Sequence, residues 1–461
     1  MTERVVSSRE RLIEENLREY GYRYDLLAFA TPDRAEQATA ERTALLQWLA
    51  VNALIGYRGT KVDCRGLSPG CQACGAGSWS CLFVNGRCNA RCAYCPAPQD
   101  ELGMPATNGL PFASAEDYTA YVELFGFTGV SISGGEPLLT PDRTLDFISA
   151  VRRRCGRRVH IWLYTNGTLL DRDLCRRLAD AGLDEIRFDI GATRYHLKKA
   201  RLAVGVIPTV TVEIPAMPED EELIRSKLPE LAAAGIDHLN LHQLRLTPHN
   251  LEKLAERGYT FLHGEKITVL ESELMALRLV RHALEQAVSL PINYCSFLYK
   301  RRFQHASARR RGAAALRAGW EGISEPGYLR TLAVEGEAKA VEAAAANLRE
   351  AVAPYLWHRE DDGRLFVAPE AALRLDLKGL TLTVRHDEVS VLPAPSGGAA
   401  FRKVPLPSGR ALYLVRRTVA EAAIPVAEMA PVLRAIDAGE GHLPVSLLPY
   451  ERIPAGLADY F

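Results

Sequence analysis

Gly86-Arg87-Cys88-Asn89-Ala90-Arg91-Cys92-Ala93-Tyr94-Cys95-Pro96 is the stretch on which the reading of this chain turns. Three cysteines stand in a Cys-x3-Cys-x2-Cys spacing, directly after an apolar run at 82–85 that reads as a short strand. Three thiolates in one tight loop can hold three irons of a cubic [4Fe–4S] cluster and leave the fourth iron open. An open metal position separates a reactive site from a structural one. The competing reading is a zinc knuckle short of its fourth ligand. No histidine follows nearby, and an aromatic residue, Tyr94, precedes the last cysteine.

Outward from this loop the chain falls into a rhythm. Short β-branched runs at 82–85, 129–133, 159–164, 185–189, 208–214, 238–242 and 290–294 alternate with amphipathic helical stretches at 115–125, 141–154, 171–182, 193–203, 219–234 and 270–287. Such alternation predicts βαβ units on a parallel sheet, open or closed into a barrel. Ser114 and Asp171 are placed to cap the helices that follow them. Residues 245–268 break the rhythm and read as an insertion with its own short helix.

In step with the rhythm, Gly134-Gly135-Glu136-Pro137 follows the strand ending at Ser133. Two glycines permit close backbone approach, and a glutamate suits an ammonium group. The cysteine loop with Tyr94 before its last cysteine, and this GGEP segment some forty residues on, together resemble the signature of the radical S-adenosylmethionine (radical SAM) superfamily. The resemblance covers about residues 80–300. It implies a partial (β/α)6 barrel, a [4Fe–4S] cluster on Cys88, Cys92 and Cys95, and S-adenosylmethionine (SAM) chelated at the open iron. Reduction would then cleave SAM to methionine and a 5′-deoxyadenosyl radical that abstracts hydrogen from substrate. An electron donor such as flavodoxin or ferredoxin is implied. The resemblance places Tyr94 and Gly134, Gly135, Glu136 and Pro137 at SAM, the last group receiving its amino end. Asn166, Asp189, Glu213 and His242 (or Gln243), at the ends of successive strands, follow as further cofactor contacts, Asp189 as a ribose partner. For Asn166 and Glu213 capping of the next helix is the rival reading. Arg187 and Asp189 share a strand face and are open to an ion pair instead.

Seven of the ten cysteines lie between Cys64 and Cys95. Ahead of the cluster motif, Cys64-x6-Cys71-x2-Cys74-x6-Cys81 is a second set in a glycine-rich segment read as loop. Four thiolates suffice for zinc, a single iron, or a closed iron–sulfur cluster. A structural role is favoured over electron relay. The arrangement is similar to the cysteine-rich iron loop of the methanogenesis-marker methyltransferases that modify a protein arginine and also use cobalamin. No cobalamin motif is visible, so a radical SAM methyltransferase acting on a protein side chain is kept as an alternative. Cys295 ends the last strand as a hydrogen-atom donor or a further cluster ligand, against the blander reading of a small buried residue. Cys155 and Cys175 sit on helix patterns and read as inert. A run of seven basic and no acidic residues spans 300–317, and its first arginines, Arg301 and Arg302, are the expected anion-binding rim. A solvated helix face is the rival reading.

The whole chain of 461 residues carries 56 basic and 56 acidic residues, 48% hydrophobic and 24% charged. That balance excludes extensive disorder and a globally basic nucleic-acid binder, so a nucleic-acid partner is not favoured. The length suggests two to four domains at roughly 150 residues each. The expected division is a helical extension over 1–56, the four-cysteine loop over 57–81, the barrel over 82–325 and an α+β domain over 326–461. Crowded thiols in a long chain, with no apolar run of membrane length, predict a cytoplasmic enzyme without a membrane span. The remaining alternative is a non-catalytic zinc- or iron-binding interaction scaffold.

Overall fold

A computed structural model describes residues 8–395 and 401–460; residues 1–7, 396–400 and 461, inside the expected end domains, lie outside the described residues. The chain divides into two compact units, Met1–Arg301 with Ala455–Phe461, and Arg302–Pro454. The division precedes the 325/326 boundary expected from composition. The helix His305–Leu316 packs on the long strand Leu380–Leu392, where a Cβ on Gly312 would meet the Val389 carbonyl oxygen at 2.6 Å.

The first unit is built on seven parallel strands: β1 (Trp79–Asn85), β2 (Gly129–Gly134), β3 (His160–Thr165), β4 (Glu185–Phe188), β5 (Thr209–Pro215), β6 (His238–His242) and β7 (Ile292–Cys295). Each strand pairs with its neighbour in sequence, so the sheet order is the chain order and the fold is a partial barrel, as the rhythm predicted. A two-residue strand, Lys61–Val62, adds antiparallel to β7, and a small hairpin, Ala106–Thr107 with Leu110–Pro111, adds beside β1. One strand face, including Val130, Ile132, Ile161, Leu163, Ile186, Val212 and Leu241, forms the apolar core. By the alternation of strand side chains, the other face carries Ser131, Trp162, Tyr164, Glu185, Arg187, Glu213, Asn240 and Cys295. The barrel interior is therefore polar.

Crossover helices begin where the sequence signals placed them. The Ser114 hydroxyl accepts from the Glu116 and Asp117 amides, and the Asp171 carboxylate accepts from Leu174. The insertion holds a helix at Leu251–Ala255 and a two-strand hairpin, Phe261–Leu262 with Thr268–Val269. Two expectations fail in this unit. Residues 193–203 form no α-helix; Arg194 and Tyr195 adopt left-handed backbone (φ 53° and 61°), which interrupts helical propagation and leaves short 3-10 turns. The supposed loop 57–80 contains the edge strand and a helix, Pro69–Gly75, capped by Ser68, whose hydroxyl accepts from the Cys71 amide.

The second unit is an antiparallel seven-stranded sheet with the helices Ala338–Ala351 and Val426–Ala438. Their apolar residues, among them Val341, Leu348, Val432 and Leu433, share a core with Leu332, Val334 and Leu382. The stretch 419–437, which reads as helical, is strand as far as Ile424. Pairing with Leu380–Leu392, in a register that sets Ile424 against Leu382, overrides its alanine-rich propensity.

Candidate active site

The cysteine loop leaves the C-terminal end of β1 and is tied down residue by residue. The Gly135 amide donates to the Asn85 carbonyl (2.9 Å) and the Glu136 amide to the Arg87 carbonyl (2.8 Å). A Cβ on Gly134 would sit 2.0 Å from the Asn85 oxygen, and one on Gly135 would sit 2.1 Å from the Arg87 oxygen. Only glycine allows the GGEP segment to lie against the base of the loop. Since its amides are spent on these bonds, carbonyl oxygen is what the segment can offer an ammonium group.

Glu136 is fully buried, and its carboxylate accepts from the Leu138 amide (2.9 Å), the Thr165 hydroxyl (2.8 Å) and the Asn166 amide (2.7 Å). It laces the end of β2 to the end of β3. The Asn166 side chain continues the chain of contacts, donating to Asn89 Oδ1 at 2.8 Å and approaching Cys88 Sγ at 3.7 Å. Tyr94 reaches across to β4, its hydroxyl 2.9 Å from both Asp189 oxygens. Burial pushes Asp189 up to about 6 even though Tyr94 and backbone amides favour its charge. The insertion closes the other side: Asn250 donates to the Tyr94 carbonyl (3.1 Å) and Thr247 to the Pro96 carbonyl (2.9 Å). Asn85, Thr247 and Asn250 carry no motif, and sequence reasoning missed them.

Three thiols on an anchored loop, beside a glycine cradle and a buried carboxylate, fit the donor chemistry of a [4Fe–4S] cluster with SAM beside it. Among the described residues, no three cysteine, histidine or acidic side chains stand in coordination geometry for a metal ion. The fit therefore rests on donor type and on the anchoring of the loop.

Below this mouth the charged groups of the barrel floor are paired with one another. Arg187 donates to Glu185 (2.7 Å), Glu213 (2.7 Å), Tyr164 (3.2 Å) and Ser68 (3.0 Å). It does not pair with Asp189, the ion pair its strand face had left open. Burial works against the charge of Glu213, but Arg187, then Lys300 and His242, outweigh it and hold the carboxyl below its ordinary range. Ending β6, His242 is pushed down to about 3, chiefly by burial, then by Lys300.

The second cysteine set is divided. Cys71 and Cys74 ride on the helix Pro69–Gly75; Cys71 Sγ lies 3.2 Å from Asn240 Nδ2, and the Tyr299 hydroxyl lies 3.7 Å from Cys74 Sγ. Cys81 instead meets the hydroxyls of Ser131 and Ser133 on β2. Lys61 is 1% exposed, and its ammonium bonds Asn293 Oδ1 (2.7 Å) and Cys295 Sγ, above the Tyr299 ring. Its place was invisible in the sequence, because Cys295 is far along the chain. Arg301 pairs with Glu265, and Arg302 donates to the Pro454 carbonyl (2.9 Å).

Residues 82–201 match the family model described as the Radical SAM superfamily. A curated protein of Methanocaldococcus jannaschii, named "Putative glycyl-radical enzyme activating enzyme", is 30% identical over 275 residues, 57% of this chain and 72% of its own length. A GTP 3′,8-cyclase of Saccharophagus degradans is 28% identical over 200 residues, covering 41% of this chain and 52% of that protein. Among solved structures, Streptococcus suis SuiB matches with a TM-score of 0.34 at 13% identity, over 59% of this chain and 58% of that one. Anchored cysteine loop, glycine cradle and parallel barrel thus define an iron–sulfur enzyme class, and the chain belongs to the radical SAM superfamily. Its family cofactors are a [4Fe–4S] cluster and SAM. No helix among the described residues is long and apolar enough to cross a membrane.

Proposed function

We propose that Cys88, Cys92 and Cys95 hold the cluster, and that the chain uses it to abstract hydrogen from an anionic or macromolecular substrate. When bound, cluster and SAM supply the one-electron cleavage that yields a 5′-deoxyadenosyl radical. The chain's own residues position and shield. Gly134 to Pro137 present carbonyl oxygen to the amino end of SAM, Asn166 and Tyr94 hold the loop, and Asp189 faces the ribose. Glu136, whose carboxylate is consumed by Thr165 and Asn166, acts by fixing two strand ends. The observation that carries this reading is the convergence of β1, β2, β3 and β4 on one cysteine loop through Asn85, Glu136, Asn166 and Asp189. A flavodoxin- or ferredoxin-type donor supplies the electron. The name of the archaeal relative favours a protein substrate, and a protein side-chain methyltransferase is the variant of that reading.

A second metal centre, of iron, zinc or an iron–sulfur cluster, is part of the proposal. Burial pushes the thiols of Cys64, Cys74 and Cys81 up to about 11, and that of Cys71 up as well. Burial opposes the charge of Lys61, and it is negative charge on the neighbouring sulfurs, Cys295 first and then Cys71 and Cys74, that would favour it; an unpaired buried cation is costly. A metal ion resolves the conflict, because its ligands are thiolates. Cys64, Cys71 and Cys74 supply three of them; Cys81 and Cys295 approach the same region from opposite sides and compete to be the fourth.

Anaerobic reconstitution with iron and sulfide tests both parts. The reduced holoenzyme is expected to release 5′-deoxyadenosine from SAM, and Cys92→Ser to abolish the release. Metal and sulfide analysis of Cys81→Ser and Cys295→Ser identifies the fourth ligand as the variant that loses the second metal. Protein that takes up zinc alone and no SAM would be the interaction scaffold instead.

A further inference from the structure

We propose that the barrel mouth carries a binding site for an anionic group, carboxylate or phosphate, of the substrate, formed by Lys300, Arg245 and Nδ1 of His242. The proposal rests on the radical reading above and names the chemical class of its substrate. Arg301 and Arg302, the cations first expected there, are engaged elsewhere, with Glu265 and with the Pro454 carbonyl.

The geometry begins with the ends of β6 and β7. Their Cα partners include Cys295 with His242, so Cys295 and the imidazole sit at one level of the sheet. The strand ends are then laced together, the Gln243 side-chain oxygen accepting from the Phe297 amide at 3.0 Å. From that point the helix Phe297–Tyr299 runs into Lys300. The Arg245 guanidinium lies 5.6 Å from the centre of the Phe297 ring. Phe297 and Lys300 are three residues apart on one helical path and therefore neighbours on its surface. Two cations from separate segments thus flank His242.

Neither cation is matched. Among the described residues, Lys300 and Arg245 form no ion pair within 4.0 Å with any carboxylate, whereas Arg187, on the same barrel, is shared by two. The acid that faces Lys300 and His242 is Glu213, and it is committed to Arg187 at 2.7 Å and Asn240 at 3.1 Å; the acid that acts on Arg245 is Glu19, and it is paired with Lys266. Nδ1 of His242 is buried without a hydrogen-bond partner. Buried polar atoms in native structures are nearly always satisfied, and an orphan nitrogen beside two unmatched cations is satisfied by an anion that accepts from all three. SAM has its own place, at the ends of β1 to β4. The β6–β7 side, beside Cys295, is left for the molecule that reacts.

Equilibrium titration of the reconstituted holoenzyme, saturated with SAM and held at constant ionic strength, tests the site with succinate and with inorganic phosphate as probes. At least one probe is expected to bind, and which one binds distinguishes carboxylate from phosphate. Lys300→Met and Arg245→Met should each weaken binding about tenfold or more, and Lys300→Arg should restore much of it. Removing an unmatched cation should leave the melting temperature of the probe-free protein unchanged or raise it; a fall would assign Lys300 a structural role and overturn the site. Failure of both probes to bind, equal binding by wild type and variants, or binding seen only without SAM would also overturn it. Release of 5′-deoxyadenosine by the wild-type holoenzyme is measured alongside. Anion binding without that release keeps the site and removes the radical reading; release without Lys300-dependent anion binding does the reverse.

Discussion

The floor and the mouth of the barrel are made from the same strands, a few residues apart, and they are chemically opposite. On β4, Glu185 and Arg187 face the floor, and Asp189 just beyond the strand faces the mouth. On the floor every strong group is matched: Arg187 by two carboxylates, and Glu185 by Arg187, the Thr211 hydroxyl, the Gly70 amide and His160. At the mouth a carboxylate is pushed up to about 6, a histidine nitrogen is orphaned, and two cations form no ion pair among the described residues. One end is closed by pairing its charged groups, and on the proposal above the other leaves some of its polar groups for a ligand. Substitutions at the floor should therefore cost stability before chemistry, and those at the mouth the reverse.

The largest effect should come from Arg187→Leu. It strands Glu185 and Glu213 as buried carboxylates, and breaking a buried ionic network by deleting one member typically costs about 3–5 kcal/mol. Urea denaturation of the metal-free protein measures it; a loss below about 1 kcal/mol would mean that water or rearrangement satisfies the floor. The same network predicts an acid dependence. Burial raises Glu185, but Arg187 and His160 outweigh it and leave the carboxyl below its ordinary value. A depressed carboxylate contributes stability that is fully present above its unfolded value of about 4.3 and is lost as pH falls through the folded one. Wild type should weaken below that pH, and Arg187→Leu, whose Glu185 has lost its main partner, should show less of this dependence.

A smaller effect is expected from Gly70→Ala, which tests how the floor is sealed. Gly70 opens the helix Pro69–Gly75, and an added Cβ would lie 2.3 Å from Arg187 Nη2 and 2.7 Å from Glu185 Oε2. A flexible side chain would yield cheaply, but Arg187 is held by Glu185, Glu213, Tyr164 and Ser68 and cannot swing away. Overpacking of this kind costs about 1–3 kcal/mol. Because the helix also carries Cys71 and Cys74, retention of the second metal should fall with stability, which metal analysis of the purified variant reads directly.

This helix shows where the sequence stopped being legible. Its seven residues include a proline and two glycines and have no apolar period, so its order comes from docking on Glu185 and Arg187, more than a hundred residues away. The pair Ser68-Pro69, a capping residue followed by a first-turn proline, was the available signal. Strands β1 to β7 were readable because β-branched runs recur between helical patterns, and the cysteine loop because its spacing is rigidly local. Lys61 beside Cys295, Asn250 beside Tyr94 and the orphaned His242 are products of tertiary approach between distant segments. For the same reason the partners of the basic run were not legible: Arg301 and Lys300 are adjacent in sequence, and only the fold shows that Arg301 turns to Glu265.

Tyr94→Phe should be the smallest perturbation, and it probes the mouth where the comparison is sharpest. The phenol bonds Asp189 across the cysteine loop, but the carboxylate keeps its backbone donors at Gly191 and Ala192. Removing one such bond typically costs about 1 kcal/mol, so the metal-free variant should unfold within that margin of wild type. The holoenzyme should behave differently. Tyr94 lies between Cys92 and Cys95 and also bonds Asn250 through its carbonyl, so losing the hydroxyl loosens the loop on the β4 side while the insertion still holds it. Weaker SAM binding at nearly unchanged stability is the expected split, read by titration of SAM into the reconstituted variant. An equal loss in both would place Tyr94 with the floor, as a structural bond that happens to lie at the open end.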